Sequence, residues 1–149
     1  MVNAPNFPPT LYENDFDRSN QERLIDFYMN YANATSYSCP PNYPLDYMCK
    51  RDGRIVAFVE CRKRNKPFGF YPTVFCDMKK VIFGRNVTEQ FGVPVIFLVE
   101  FSDNVVATVE FTEQGFIDMQ QVNFRDDIYD LSPVMNWKLE QFKIIQNAN

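Results

Sequence analysis

Residues 43–64, YPLDYMCKRDGRIVAFVECRKR, contain two runs rich in aromatic and β-branched residues on either side of Asp52-Gly53. An Asp-Gly pair between such runs is typical of a tight β-hairpin. The segment therefore predicts two neighbouring antiparallel strands, over 43–50 and 55–64, and the rest of the fold is placed around them.

Asp46 and Glu60 lie one on each predicted strand, and the length of the loop decides whether they share a face. A loop of 52–54 places Asp46 opposite Glu60, whereas a two-residue turn puts them on opposite faces, because successive side chains alternate. We expect the longer loop or a bulge. Two facing carboxylates repel each other unless a cation lies between them, so this arrangement predicts a site for Mg²⁺ or Mn²⁺. The alternative is that Asp46 caps the chain or pairs with Arg54 or Arg64.

Basic side chains accompany these acids. Glu60, Arg62 and Arg64 alternate along the second strand and share one face, which leaves Lys63 on the other. Next to a phosphate, a cation stabilises the charge that develops in the transition state, and an arginine does so without giving up its proton. Lys80, at the start of a predicted helix, can reach the same phosphate or serve as an ordinary surface lysine.

The remaining patterns predict an α/β domain. Ser19 and Glu22 form a capping box before apolar residues at helical spacing, which predicts a helix over about 19–33 and explains Glu22 without a function. The other predicted segments are an irregular stretch 36–44, a strand 73–77, a helix 78–91, a buried strand 95–101, its partner 105–111, a polar stretch 112–130 and an alternating segment 134–145. We expect one domain over 18–149, preceded by a flexible arm over 1–17.

Composition limits the classes of function. The chain has 149 residues, no histidine and no long apolar run, so we exclude imidazole-based catalysis and a membrane helix and expect a cytosolic protein. The formal net charge is −4, yet residues 50–85 hold ten basic and three acidic residues, a local charge of +7 that leaves −11 elsewhere. We expect these basic residues to form one anion-binding patch around Glu60; a solvated charge run is the alternative.

A family resemblance appears at these same residues. Its parts are Leu45-Asp46, the strand Phe-Val-Glu-Cys-Arg-Lys-Arg at 58–64, Tyr71-Pro72-Thr73, Lys80-Val81, the run 94–101 and the late segment 130–142. Together they resemble the PD-(D/E)XK, or restriction-endonuclease-like, nuclease superfamily, especially small phage-encoded members with an E-x-K-x-R strand, a Y-P-T segment and a helix lysine. The resemblance covers about 20–145. It implies an αβββαβ core with a central mixed sheet flanked by helices and extra C-terminal strands.

The resemblance also implies a metal-dependent nuclease that acts on DNA, in the host cytoplasm if a phage encodes it. Asp46 and Glu60 would bind Mg²⁺ or Mn²⁺, Glu22 would complete or orient the site, and Arg62 and Lys80 would act in catalysis. Arg62 stands where the family has its catalytic lysine. The residues expected to contact DNA are Lys63, Arg64, Lys66, Tyr71 and Lys79.

Other functions remain open on the sequence. A nuclease fold without catalysis would bind nucleic acid or a protein partner through the same basic residues, and a structural virion protein would use the aromatic surface. Many nucleases of this type act as dimers, so a homodimer is compatible with the resemblance.

Overall fold

The computed structural model describes residues 15–121 and 131–148. The helices and strands are α1 Asp15–Ala32, β1 Thr35–Ser38, β2 Tyr47–Arg51, β3 Arg54–Lys63, β4 Thr73–Asp77, α2 Met78–Phe91, β5 Val95–Glu100, β6 Val106–Glu110, β7 Phe116–Gln121, β8 Leu131–Lys138 and β9 Lys143–Gln146. A short 3₁₀ turn, Leu139–Gln141, separates the last two strands. Within the described ranges, neither helix combines the length and the hydropathy that a membrane crossing needs.

The strands form two sheets, and the larger one is the centre of the fold. It has six strands in the order β1-β2-β3-β5-β6-β9, and its β3–β5 pair is parallel. The smaller sheet, β4-β8-β7, is antiparallel. The predicted fold class, a central mixed sheet with flanking helices, is confirmed.

Each face of the larger sheet is covered by a separate apolar cluster. On one face, α1 residues Leu24 and Ile25 pack with Cys61 and Leu98 of the sheet. On the other face, α2 and the smaller sheet enclose Phe97, Phe111 and Trp137, which belong to the second cluster. Because neighbouring residues of β3 alternate between the faces, Glu60 and Arg62 lie on the α2 face and Cys61 lies on the α1 face.

The turn between β2 and β3 is shorter than expected. Arg51 pairs with Arg54, so the turn consists only of Asp52 and Gly53. Both turn residues have positive φ, 53° and 76°, as the favoured two-residue hairpin turn requires. The predicted three-residue loop is therefore wrong.

A β-bulge restores the alignment that the longer loop would have given. The register shifts between Cys49, which pairs with Ala57, and Lys50, which pairs with Ile55, and Val56 is the additional residue. Beyond the bulge Tyr47 pairs with Val59. The same register brings Asp46, the residue before β2, level with Glu60. The expectation of a bulge is therefore confirmed. One additional residue reverses the parity of every later pair, so Asp46 and Glu60 lie on the same face.

Four predicted segments differ from the structure. The first helix starts at Asp15, so the last three residues of the predicted arm are helical, and the rest of the arm lies outside the described residues. The stretch 36–44 contains part of β1, which pairs with β2, and 112–130 contains β7, which pairs with β8. Residues 122–130 of that stretch lie outside the described ranges. The segment 134–145 is two strands in different sheets.

Helix α2 follows its local signals closely. The Asp77 side chain accepts a hydrogen bond from the Lys79 backbone N–H at 3.1 Å, and Gly92 closes the helix in the left-handed conformation at φ 70°. The predicted bounds of this helix, 78–91, are confirmed. Its position matters for function, because the first turn carries Lys80 toward the face that holds Glu60.

Gly84 sets how closely α2 approaches the larger sheet. A Cβ atom at this position would lie 2.5 Å from the Phe111 ring and 3.2 Å from Val95. We expect Gly84→Val to lower the free energy of unfolding by about 1 to 3 kcal/mol, because the buried Phe111 ring has little room to move. Urea unfolding measures this change. Asn86→Val, at an exposed position of the same helix, should change stability by less than about 0.5 kcal/mol; equal losses in both variants would contradict the prediction.

Candidate functional site

The site forms around Glu60, which lies in β3 and is fully buried on the α2 face of the larger sheet. Asp46 is held beside it through the backbone of two other segments. The Asp46 carboxylate Oδ2 accepts a hydrogen bond from the Cys61 N–H at 2.9 Å, and the Asp46 carbonyl accepts one from the Cys39 N–H at 2.9 Å. These contacts orient the Asp46 side chain toward β3 before any ligand is present.

Arg62 joins the two acids. Its Nη2 lies 2.6 Å from Glu60 Oε2, and its Nη1 lies 3.7 Å from Asp46 Oδ2. Nη1 also donates to the Cys61 carbonyl oxygen at 2.7 Å. One guanidinium thus contacts two carboxylates and a backbone carbonyl, so three oxygens converge on one small region. In place of the alternative pairing of Asp46 with Arg54 or Arg64, the structure shows this contact with Arg62.

Lys80 reaches the same acid from α2. Its Nζ donates to Glu60 Oε2 at 2.7 Å. Two cations therefore face two carboxylates, and the formal charges of Asp46, Glu60, Arg62 and Lys80 cancel. The prediction that the two acids share a face with Arg62 beside them is confirmed, and Lys80 is placed in the same cluster.

Glu60 keeps one oxygen without a partner. Both cations contact Oε2, whereas Oε1 is buried and has no hydrogen-bond partner among the described residues. Burial raises the pKa of the Glu60 carboxyl. The positive charges of Arg62 and Lys80 partly offset this rise, whereas the nearby Asp46 adds to it. Burial would lower the pKa of Arg62, but the adjacent Glu60 and Asp46 raise it above its ordinary value. An unpaired buried carboxylate oxygen is costly, so this atom marks a place where a ligand would be favourable.

The protein groups that could hold a metal ion here are few. The described ranges contain no group of three or more histidine, cysteine, aspartate or glutamate side chains that could bind one. The oxygens available to a metal ion are those of the Asp46 and Glu60 carboxylates and of the Cys61 carbonyl. All three are oxygen ligands of the kind that Mg²⁺ and Mn²⁺ prefer.

Glu22 is not brought to this site. It is exposed on α1, and α1 packs on the face of the larger sheet opposite to Glu60. The helical register directs Leu24 and Ile25 into the sheet and leaves Glu22 in solvent. The expectation that Glu22 completes or orients the site has no support in the geometry.

The other basic residues do not form the single patch that we expected. Arg64 lies over the Phe75 ring and donates to the Phe75 carbonyl at 2.6 Å; burial lowers its pKa to about 10. Lys63 is exposed on the α1 face, 3.8 Å from Glu100.

The basic residues at the two ends of 50–85 have structural partners away from Glu60: Lys50 lies over Tyr37, Arg51 bonds to the end of α1, and Arg85 bonds to the carbonyls of Phe111 and Glu113. Lys66, Tyr71 and Lys79 are exposed.

Two features of the larger sheet, one at the site and one on the opposite face, were not predicted. The first is the double role of the Cys61 backbone, which donates to Asp46 and accepts from Arg62; no side-chain pattern reports such contacts. The second is Glu100, a buried acid on the α1 face that pairs with Arg23 at 2.7 Å. An acid inside the apolar run 95–101 was the available signal for this pair.

The first comparison with known proteins concerns the fold. A solved structure of Hjc, a Holliday junction resolvase from the archaeal hyperthermophile Archaeoglobus fulgidus, is similar with a TM-score of 0.55 and 9% sequence identity. The likeness covers 85% of this chain and 90% of that chain, and at this identity it shows the fold alone. None of the curated proteins matches the chain.

A family comparison is more specific. The family model described as "Phage putative PDDEXK endonuclease" matches residues 8–145. The matched range includes Asp46, Glu60, Arg62 and Lys80. Because the match spans nearly the whole sequence, the chain belongs to the family that this model describes.

Proposed function

We propose that this protein is a divalent-metal-dependent nuclease that hydrolyses phosphodiester bonds of DNA. The observation that carries the proposal is the buried Glu60 carboxylate, which shares one face with Asp46 and has two cations within 2.7 Å of its Oε2. Membership of an endonuclease family supports the same chemistry. The cluster combines two acids that could bind a metal ion, Asp46 and Glu60, with two cations that could bind a phosphate, Arg62 and Lys80.

The residues present fit a hard divalent cation. Asp46, Glu60 and the Cys61 carbonyl oxygen would hold Mg²⁺ or Mn²⁺, with water filling the remaining positions, as is usual for Mg²⁺. The unpartnered Glu60 Oε1 is a ready ligand atom. When bound, the ion supplies Lewis-acid polarisation of the phosphoryl oxygen.

Arg62 would have to change partners if such an ion were bound. Its guanidinium now contacts the oxygens of Asp46, Glu60 and Cys61, and a dication at the same oxygens would repel it. Once released, Arg62 can clamp a phosphate oxygen, because it stays protonated at any working pH. Lys80, a quarter exposed, can donate a second hydrogen bond to the same phosphate. Both cations would stabilise charge that grows in the transition state.

DNA as the substrate rests on the resemblance to the PD-(D/E)XK nucleases and on the description of the family as endonucleases. We further propose that a phage encodes the protein and that it acts in the host cytoplasm, since the family is described as a phage one. A homodimer remains a prediction from the resemblance to nucleases that cut two strands.

A second candidate function is favoured by one observation. Four charges already cancel within the site. The resemblance also implies that Arg62 takes the place of the superfamily's lysine. Such a self-neutralised cluster would also suit a nuclease fold that has lost catalysis and retains nucleic-acid binding.

Metal binding separates these two functions. We expect saturating Mn²⁺ to raise the thermal midpoint of the wild-type protein by several degrees, because a ligand at about 100 times its Kd adds roughly 2.7 kcal/mol of stability. Asp46→Asn should remove this shift, since the amide keeps the shape but loses the charge. Thermal unfolding followed by circular dichroism, with and without EDTA, measures it. Asp26→Asn, at an exposed position of α1, is the matched control; an equal shift in Asp46→Asn would contradict a site at Asp46.

A further inference from the structure

The loop between β3 and β4, residues 64–72, exposes two neighbouring aromatic rings. Phe70 is 55% exposed and Tyr71 is 58% exposed. Their ring centroids are 4.9 Å apart, and the ring planes meet at 83°. The two rings therefore form a corner, in which a flat group could stack on one ring while touching the edge of the other.

The loop that carries these rings is anchored along its length. The Phe70 N–H donates to the Pro67 carbonyl at 3.0 Å across Gly69, whose φ is 97°. Further anchors are hydrogen bonds from Ser102 N to Lys66 O, from Phe68 N to Asp103 Oδ1 and from Leu139 N to Pro72 O, and the edge-to-face contact of Phe68 with Phe101. A rigid loop therefore holds two large apolar side chains in solvent, and packing gives no reason for their exposure.

A lysine, Lys66, lies next to this pair of rings. Lys66 Nζ lies 4.8 Å from the centre of the Phe70 ring, and Lys66 is exposed. Among the described residues, no carboxylate pairs with it. Exposed aromatic rings next to a cation are the combination that binds a nucleobase together with its phosphate.

The loop is also close to the proposed active site along the chain. Phe70 and Tyr71 follow Glu60 by ten and eleven residues, so at about 3.3 Å per residue their Cα atoms are at most roughly 36 Å from that of Glu60. This is the length of about eleven nucleotides of one strand at about 3.4 Å each. A strand cut near Glu60 can therefore reach the two rings within about eleven nucleotides.

We propose that Phe70 and Tyr71 are a stacking platform for an unpaired nucleobase, so that the substrate is DNA with a single-stranded part near the cleaved bond. This inference rests on the proposed nuclease function. In a duplex, each base already stacks on its neighbours and shows only its edges in the grooves, so the exposed rings cannot use it. An unpaired base offers both faces to aromatic side chains.

Binding without metal tests the platform separately from cleavage. Fluorescence anisotropy in EDTA gives the Kd for a labelled single strand, a blunt duplex and a duplex with a single-stranded overhang. We expect Phe70→Ala and Tyr71→Ala each to weaken binding to the single strand and the overhang about 5-fold or more, as for loss of one base stack. Blunt-duplex binding should change less than 2-fold, by our estimate for a group that makes no duplex contact. Tyr71→Phe should keep wild-type affinity, and Phe91→Ala, at the exposed end of α2, is the aromatic control.

The outcomes distinguish this inference from the nuclease proposal. Equal losses on blunt duplex and single strand, unchanged affinity in both alanine variants, or no DNA binding by the wild type would each overturn the platform. Because Phe70 and Tyr71 are more than half exposed, folding should survive both substitutions. A wild type that binds through the platform but cuts no DNA with Mg²⁺ or Mn²⁺ would refute the nuclease proposal alone. Cleavage that is normal while the alanine variants bind normally would refute the platform alone.

Discussion

Glu60→Gln is expected to abolish DNA cleavage while leaving the protein folded. Glutamine keeps the shape of the side chain but removes the buried charge that would bind the metal, and Arg62 and Lys80 lose the negative charge that they share. We expect the single-turnover rate to fall by at least about 10²-fold, the effect of removing one preorganised electrostatic group, and in practice to background. Gel analysis of end-labelled DNA in Mg²⁺ or Mn²⁺ measures the rate.

Glu100→Gln is the matched control for this variant. Glu100 is also a buried acid of the larger sheet, but it lies on the α1 face and pairs with Arg23 and Lys63. We expect it to lose some stability and to keep most of its cleavage rate. Equal loss of cleavage in Glu100→Gln and Glu60→Gln, with both proteins folded, would contradict a specific role of Glu60 in cleavage.

Arg62→Lys is expected to raise cleavage, and Arg62→Ala is expected to lower it by about 10²-fold. The guanidinium contacts three oxygens at once, whereas a lysine ammonium is a single point charge that leaves the oxygens more open to a metal. Lysine also has a proton that it can share, unlike arginine. Alanine removes the cation that would stabilise the transition state.

The same assay reads out these variants, and Mn²⁺ titration shows whether the affinity for metal rises with the rate. Arg51→Lys is the control, because Arg51 bonds to backbone carbonyls at the end of α1, away from the site. Full activity in Arg62→Ala would show that Arg62 takes no part in catalysis. Complete inactivity of wild type and Arg62→Lys, with no metal bound by either, would favour the nuclease fold without catalysis.

Elements with strong local signals were predictable from the sequence. Helix α2 has a capping aspartate at Asp77 and a terminating Gly92, and β5 is a nearly continuous apolar run. By contrast, β1 and β7 carry no such signal, because pairing with β2 and β8 supplies their stability. Tertiary pairing overrides weak local preference in such strands.

The site was predictable in its parts but not in its connections. The shared face of Asp46 and Glu60 depends on a bulge at Val56 that no residue type requires. The contact of Arg62 with three oxygens depends on the reach of one side chain across a folded surface. Glu22 matched a family role, yet only packing could show which face of the sheet α1 covers.

The most direct test of the central claim is cleavage by the wild-type protein. It would be incubated with end-labelled single-stranded, blunt, overhanging and branched DNA in Mg²⁺, Mn²⁺ or EDTA, beside Glu60→Gln. The metal-dependent nuclease predicts cleavage of at least one DNA form with Mg²⁺ or Mn²⁺, none in EDTA and none by Glu60→Gln. Cleavage that persists in EDTA or in Glu60→Gln, or a wild type inert on every form, would contradict it.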